Sequence, residues 1–192
     1  MMTVTSFTEL PDNLPVPEDD GVCDHLVGMM IPDISLASTA GEKVMISGLS
    51  GVTVLYCYPM TGRPGEELPA GWDDIPGARG CTPQSCAFRD ASDQITALNA
   101  RIFGLSTQDT AYQSEMATRL HLPFAVLSDA EYALSTALRL PLFEAGGIRL
   151  IKRVTLIISD GQIAAVHYPI FPSHSDPEWV ISTLSSLKEE GR

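Results

Sequence analysis

Residues 52–58, VTVLYCY, constrain the fold of this chain more than any other segment. A strand with one wet face shows polar side chains at every second position, whereas this run is β-branched, aromatic or apolar almost throughout and reads as a strand buried on both faces. Such a strand belongs inside a sheet that is covered on both sides. The covering elements follow along the chain. Phe88, Ala91, Ile95 and Leu98 recur at helical spacing and predict a helix over 82–99, followed by a second strand at 101–106 (RIFGLS). Residues 107–120 are helical in pattern, PFAVLS is short and extended, and 130–140 predicts a helix ended by Pro141. KRVTLIIS (152–159) and QIAAVHYP (162–169) flank Asp160-Gly161, a dipeptide that closes hairpins. A last helix is predicted over 177–187 with Asp176 as its N-cap. The order β-α-β-α-α-β-β-α predicts an α/β fold, a central mixed β-sheet with helices on both faces.

With 44% hydrophobic residues in 192, the chain has material for one sizeable core. Residues 1–22 read as an extended N-terminal arm and 23–192 as a single domain. Inside that domain the stretch 60–80, MTGRPGEELPAGWDDIPGARG, holds three prolines and five glycines and follows neither the helical nor the alternating pattern. Loops of that length in a compact domain tend to be functional or disordered. The 24 acidic residues against 12 basic give a net charge of −12, which argues against nucleic acid and anionic membrane surfaces as partners. The chain also lacks a basic start followed by an apolar run, and has no apolar stretch long enough for a membrane span, so a cytoplasmic location is expected.

The four cysteines, at 23, 57, 81 and 86, are too few and too unevenly spaced for a stapled secreted scaffold. Cys81 stands where the long loop meets the helix of 82–99, so unpaired backbone N–H groups and the positive end of the helix dipole favour its thiolate. Alone, such a cysteine is more often a small core residue; the helix start and the second cysteine reverse that. Five residues of helix rise about 7.5 Å and turn about 140°, so the Cα atoms of Cys81 and Cys86 should stand roughly 8.6 Å apart. A disulfide reaches only about 7 Å, and bonding the pair requires the first turn to unwind. Otherwise Cys86 is a helix residue facing the sheet. The four histidines complete no zinc spacing, and His167 and His174 read as structural, so no metal is expected. Cys57 reads as a core residue and Cys23 as a bystander. Trp72, on the long loop, is expected to pack on its own domain, and a lid, a docking surface and an oligomer contact are all open to that loop.

The segment GCTPQSCAFRD (80–90) resembles the Q-type, bacterioferritin-comigratory-protein-like peroxiredoxins, which share a Gly-Cys-Thr start, a second cysteine five residues on and a Phe-Arg-Asp continuation. VTVLYCYP, RIFGLSTQDTAYQSEMATRLHLPFAVLSD and KRVTLIISDGQI are similar to further stretches of that family, so the resemblance covers about 26–187. It implies a thioredoxin-like fold and a thiol peroxidase that reduces hydrogen peroxide and organic hydroperoxides. It also implies Cys81 as peroxidatic and Cys86 as resolving cysteine, no cofactor and a thioredoxin-like reductant; a monomer or a homodimer is expected. Arg153 matches the family's hairpin arginine, able to stabilise a thiolate and hold peroxide oxygens, and Gln84 matches the Glu or Gln that could orient it. The family's Pro-x3-Thr-x2-Cys spacing is broken: Asp74 and Ala78 occupy the proline and threonine positions, and an insertion at about 60–78 separates Pro59 from Cys81. Thr61 is the one hydroxyl residue between them and is the candidate to fold back and donate to the peroxide. The broken spacing leaves two rival readings, a non-enzymatic redox sensor and a thiol–disulfide oxidoreductase on the same fold.

Overall fold

The computed structural model describes residues 10–189; the first nine residues of the predicted arm lie outside them. Strands β1 (Ser35–Ser38), β2 (Val44–Met45), β3 (Val52–Cys57), β4 (Ala100–Ser106), β5 (Val126–Ser128), β8 (Val154–Ser159) and β9 (Gln162–His167) form one mixed sheet. Their order is β2-β1-β5-β4-β3-β8-β9. The run that dominates the sequence is β3, central, parallel to β4 and antiparallel to β8. Its two-residue period sorts the core. Val54, Tyr56 and Tyr58 face helices α1 (Cys81–Ala97), α2 (Thr110–Arg119) and α4 (Asp176–Glu189), while Leu55 and Cys57 face α3 (Ala133–Leu138) and the segment around Leu26, Ile31 and Ile46. Helices therefore cover both faces, three on one and a short one on the other.

Two close approaches lock the sheet to α1. Tyr56 stacks on Phe88 with ring centroids 4.3 Å apart. On β4, Gly104 leaves room for that tyrosine, since a Cβ there would lie 2.9 Å from its ring. The β3–α1–β4 unit puts the carboxyl ends of two parallel strands at one edge, where open α/β sheets place their ligands.

Several boundaries differ from the sequence reading. The Asp160-Gly161 turn has positive φ at both residues, +46° and +81°, as a tight hairpin needs. The second helix starts three residues later than predicted, at Thr110, because Asp109 caps it by accepting from the Tyr112 backbone N–H at 2.7 Å. Asp176 is not the N-cap of α4: it is the first helical residue, fed by a 3-10 turn at Ser173–Ser175, and its side chain points inward. A second hairpin, β6 (Leu142–Ala145) and β7 (Ile148–Ile151), turns at Gly146-Gly147 and was absent from the predicted order. Against it packs Trp72, buried with Ala78, Ala145 and Leu150. Residues 10–22 run along the loop before α1: Pro17 lies beside Gly77, Leu10 beside Gly80, and Asp20 pairs with Lys152 at 3.0 Å. Among the described residues no helix is long and apolar enough to cross a membrane.

Candidate active site

Cys81 is the first residue of α1 and only 3% exposed. Gly80 before it has φ +110°, and a Cβ there would stand 2.3 Å from the Ser173 hydroxyl, so glycine is required on both counts. The sulfur thus lies at a helix start whose first N–H groups have no intrahelical partner. The register of β3 with β8 pairs Cys57 with Val154, which carries Arg153 to the same end of the sheet. Arg153 is 4% exposed. Its Nη2 lies 3.4 Å from the Cys81 sulfur and 3.2 Å from each of the carbonyls of Gly77, Ala78 and Arg79. Its Nη1 donates to Gln84 Oε1. The Cys81 thiol reaches the Ala78 carbonyl at 3.6 Å.

Gln84 faces that arginine for a reason that lies across the sheet. Its Nε2 donates to Asp176 Oδ2 at 2.7 Å, and the Thr155 hydroxyl donates to the same oxygen at 2.7 Å. His167 Nδ1 meets Asp176 Oδ1 at 2.7 Å, its ring stacked on Trp179 with centroids 4.5 Å apart. A fully buried carboxylate accepts and never donates, so it takes the amide NH2 of Gln84 and turns the amide oxygen toward the guanidinium. A guanidinium wedged between an amide oxygen and a sulfur is placed to stabilise charge that moves between that sulfur and a bound oxygen.

Thr61 is buried and lines one small cavity, about 10 Å³, together with Met60, Gly62, Leu68, Trp72, Arg79, Gly80, Cys81 and Thr82. Its backbone N–H and its hydroxyl both donate to Gln108 Oε1, at 3.0 and 3.4 Å, and its carbonyl accepts from Gln108 Nε2 at 3.2 Å. The hydroxyl proton is therefore directed at Gln108. Cys86 stands apart, half-buried on the same helix, and all four thiols are free. Burial, only partly offset by Arg89, pushes the Cys86 thiol up from its ordinary value.

Of the five residues singled out by sequence, Cys81, Arg153 and Gln84 are in contact, Thr61 shares the cavity, and Cys86 is one helical turn and more away. Three participants escaped the sequence reading. Asp176 had a local explanation as a cap that hid its tertiary one. Gln108 follows the carboxyl end of β4, a position that marks sites in parallel sheets and could have been noticed. Arg79, paired with Asp73 at 3.1 Å, carries no local signal. Among the described residues no group of three or more His, Cys, Asp or Glu side chains is arranged to hold a metal.

The Redoxin family matches residues 26–181. Peroxiredoxin Bcp of Bacillus subtilis is 31% identical over 112 residues, 58% of this chain and 62% of that protein. The chloroplastic peroxiredoxin Q of Triticum aestivum is 34% identical over 103 residues, 53% of this chain and 41% of that protein. The chain spans about half the length of the curated relatives it matches. Among solved structures, peroxidoxin BcpB from Mycobacterium tuberculosis superposes with a TM-score of 0.68 at 23% identity, over 83% of this chain and 96% of that one. The bacterioferritin comigratory protein of Xanthomonas campestris, described for alkyl peroxide reduction, gives 0.63 at 17% identity, over 91% and 98%. These last two likenesses show the shared thioredoxin-like fold.

Proposed function

The chain belongs to the redoxin family, as a peroxiredoxin of the Q type, and on that premise we propose that it is a thiol-dependent peroxidase with Cys81 as nucleophile. The observation that carries the reading is the Arg153 guanidinium 3.4 Å from a sulfur at a helix start. The Cys81 thiolate attacks the terminal oxygen of a hydroperoxide; the S–O bond forms as the O–O bond breaks, and the released alkoxide or hydroxide takes a proton from solvent. Arg153 faces both the sulfur that loses charge and the oxygen that gains it, so its stabilisation persists along the reaction. Gln84 is a positioning residue that holds the guanidinium in place. Thr61, whose hydroxyl proton goes to Gln108, presents its oxygen to the cavity as an acceptor for the peroxide O–H, so its role changes from donor to acceptor.

The sulfenic acid on Cys81 is then attacked by Cys86, releasing water and leaving a disulfide that an external dithiol of the thioredoxin type reduces. Both cysteines belong to one unbroken helix, so this step unwinds the start of α1. The protein works in this reading as a cytoplasmic monomer or homodimer, without metal or organic cofactor.

The test is a stopped-flow trace of reduced protein mixed with hydrogen peroxide. Wild type should oxidise within the mixing experiment, Cys81→Ser should not react, and Cys86→Ser should stop at the sulfenic acid. Thr61→Val should lower kcat/KM about tenfold. Oxidation should also strip hydrogen-exchange protection from amides 82–87; equal protection in both redox states would refute the unwinding.

A further inference from the structure

Residues 60–78 are anchored at both ends and, between them, at Pro69 and Trp72. At the start, the Arg63 guanidinium lies 3.8 Å over the Tyr112 ring and 3.6 Å from Glu115, and Arg119 donates to the Gly62 carbonyl at 3.2 Å, so this end is tied to α2. In the middle, Trp72 is buried against Leu150 and Ala145, its ring 6.1 Å from that of Phe143. Pro69 fits over Gly146, where a Cβ would come within 3.1 Å of the proline. At the end, Arg79 holds Asp73 at 3.1 Å while Arg153 binds the carbonyls of residues 77–79. A segment held at so many points behaves as a wall, because moving it breaks buried packing and several charged contacts at once.

That wall lines one side of the narrow space beside the sulfur. Met60, Thr61, Gly62, Leu68 and Trp72 face Cys81 across a cavity of about 10 Å³. A single water needs roughly 10–15 Å³ measured in this way. Hydrogen peroxide exceeds water by one oxygen, and small rotations of the unbranched Met60 and the half-buried Leu68 make room for it. A cumyl hydroperoxide carries a nine-carbon group on the leaving oxygen, which must lie in line behind the oxygen that meets sulfur. Leu68 and Trp72 line the pocket in which that group would have to lie, and Trp72 is held there by Leu150 and Phe143.

We propose that residues 60–78 form a fixed wall that admits hydrogen peroxide to Cys81 and turns away bulky organic hydroperoxides, with Leu68 and Trp72 as the specificity-determining side chains. This narrows the substrate class and rests on the peroxidase reading. The experiment measures second-order rate constants for oxidation of reduced wild type by hydrogen peroxide, tert-butyl hydroperoxide and cumene hydroperoxide, then repeats the series with Leu68→Ala and Trp72→Ala. Wild-type rates should fall with size, by about tenfold or more from the first to the last, and the cumene-to-hydrogen-peroxide ratio should rise about tenfold in the variants. Cumene hydroperoxide reacting with wild type as fast as hydrogen peroxide overturns the wall but leaves the peroxidase reading standing. So does an unmoved ratio in Leu68→Ala, whose half-exposed side chain the fold tolerates losing if Trp72→Ala does not fold. Failure of all three peroxides to oxidise a Cys81 that iodoacetamide still alkylates overturns both.

Discussion

Cys81 and Cys57 lie at the same end of the same βα unit, both free and both shut away from solvent, yet their surroundings favour opposite chemistry. Cys57 closes β3 among Leu55, Leu105, Leu127 and Leu156, where burial pushes its thiol well up and the carboxylates of Asp129 and Asp176 push it further. Cys81 opens α1 with a guanidinium at 3.4 Å and helix N–H groups behind it. Burial by itself makes a thiol inert; burial beside a fixed cation concentrates that cation's field on the sulfur, because no water competes for it. Cys23 sides with Cys57, its thiol pushed up to about 12, first by burial and then by Asp20.

The comparison breaks most completely at Arg153. Arg153→Met should leave Cys81 in surroundings like those of Cys57, with peroxide oxidation slowed about 10²–10³-fold in stopped flow; a loss smaller than about tenfold would mean that the guanidinium does not distinguish the two sulfurs. Altering the other member should cost stability instead. Cys57→Ser places a hydroxyl without a partner in an apolar cluster and should lower unfolding stability by about 1–3 kcal/mol in urea while peroxide reactivity stays at the wild-type level. A finer test is Gln84→Leu, which frees the guanidinium without removing it. Oxidation should slow about tenfold in stopped flow; an unchanged rate would mean that the amide does not hold the guanidinium against the sulfur.

The smallest effect is in alkali. The folded chain keeps the protons on Cys57 and Cys23 at pH values where the unfolded chain, with thiols near about 8.5, releases them. The unfolded state then binds fewer protons, so stability present below about pH 8.5 is progressively lost as pH rises above it. Cys57→Ala removes one of them and should make the decline in urea midpoint above about pH 9 shallower; an unchanged slope would place the alkaline sensitivity elsewhere.

Local signals carried far in this chain. The apolar run of β3, the Asp160-Gly161 turn and the helical spacing after Cys81 each lie within a few residues and were legible. The hairpin at Gly146-Gly147, LFEAGGIRLI in the sequence, gives only a weak local signal, since its strands are short and half-exposed. Asp176 misled for the opposite reason: an acidic residue before Pro-Glu satisfies the local rule for a cap, and only the packing of α4 against α1 and β8 reveals that it turns inward to Gln84, Thr155 and His167.

The amino-acid order alone placed a cysteine at the first turn of a helix behind a double-faced strand, because periodicity, glycine and proline act over neighbouring residues. It could not say what stands opposite that sulfur. The meeting of Arg153 with Cys81 depends on the pairing of Cys57 with Val154 across the sheet, and the size of the space beside them depends on Trp72 finding Leu150. Register and loop packing are long-range: each is selected by the burial of many side chains together, and a shift of one residue in β8 would turn the guanidinium to the other face.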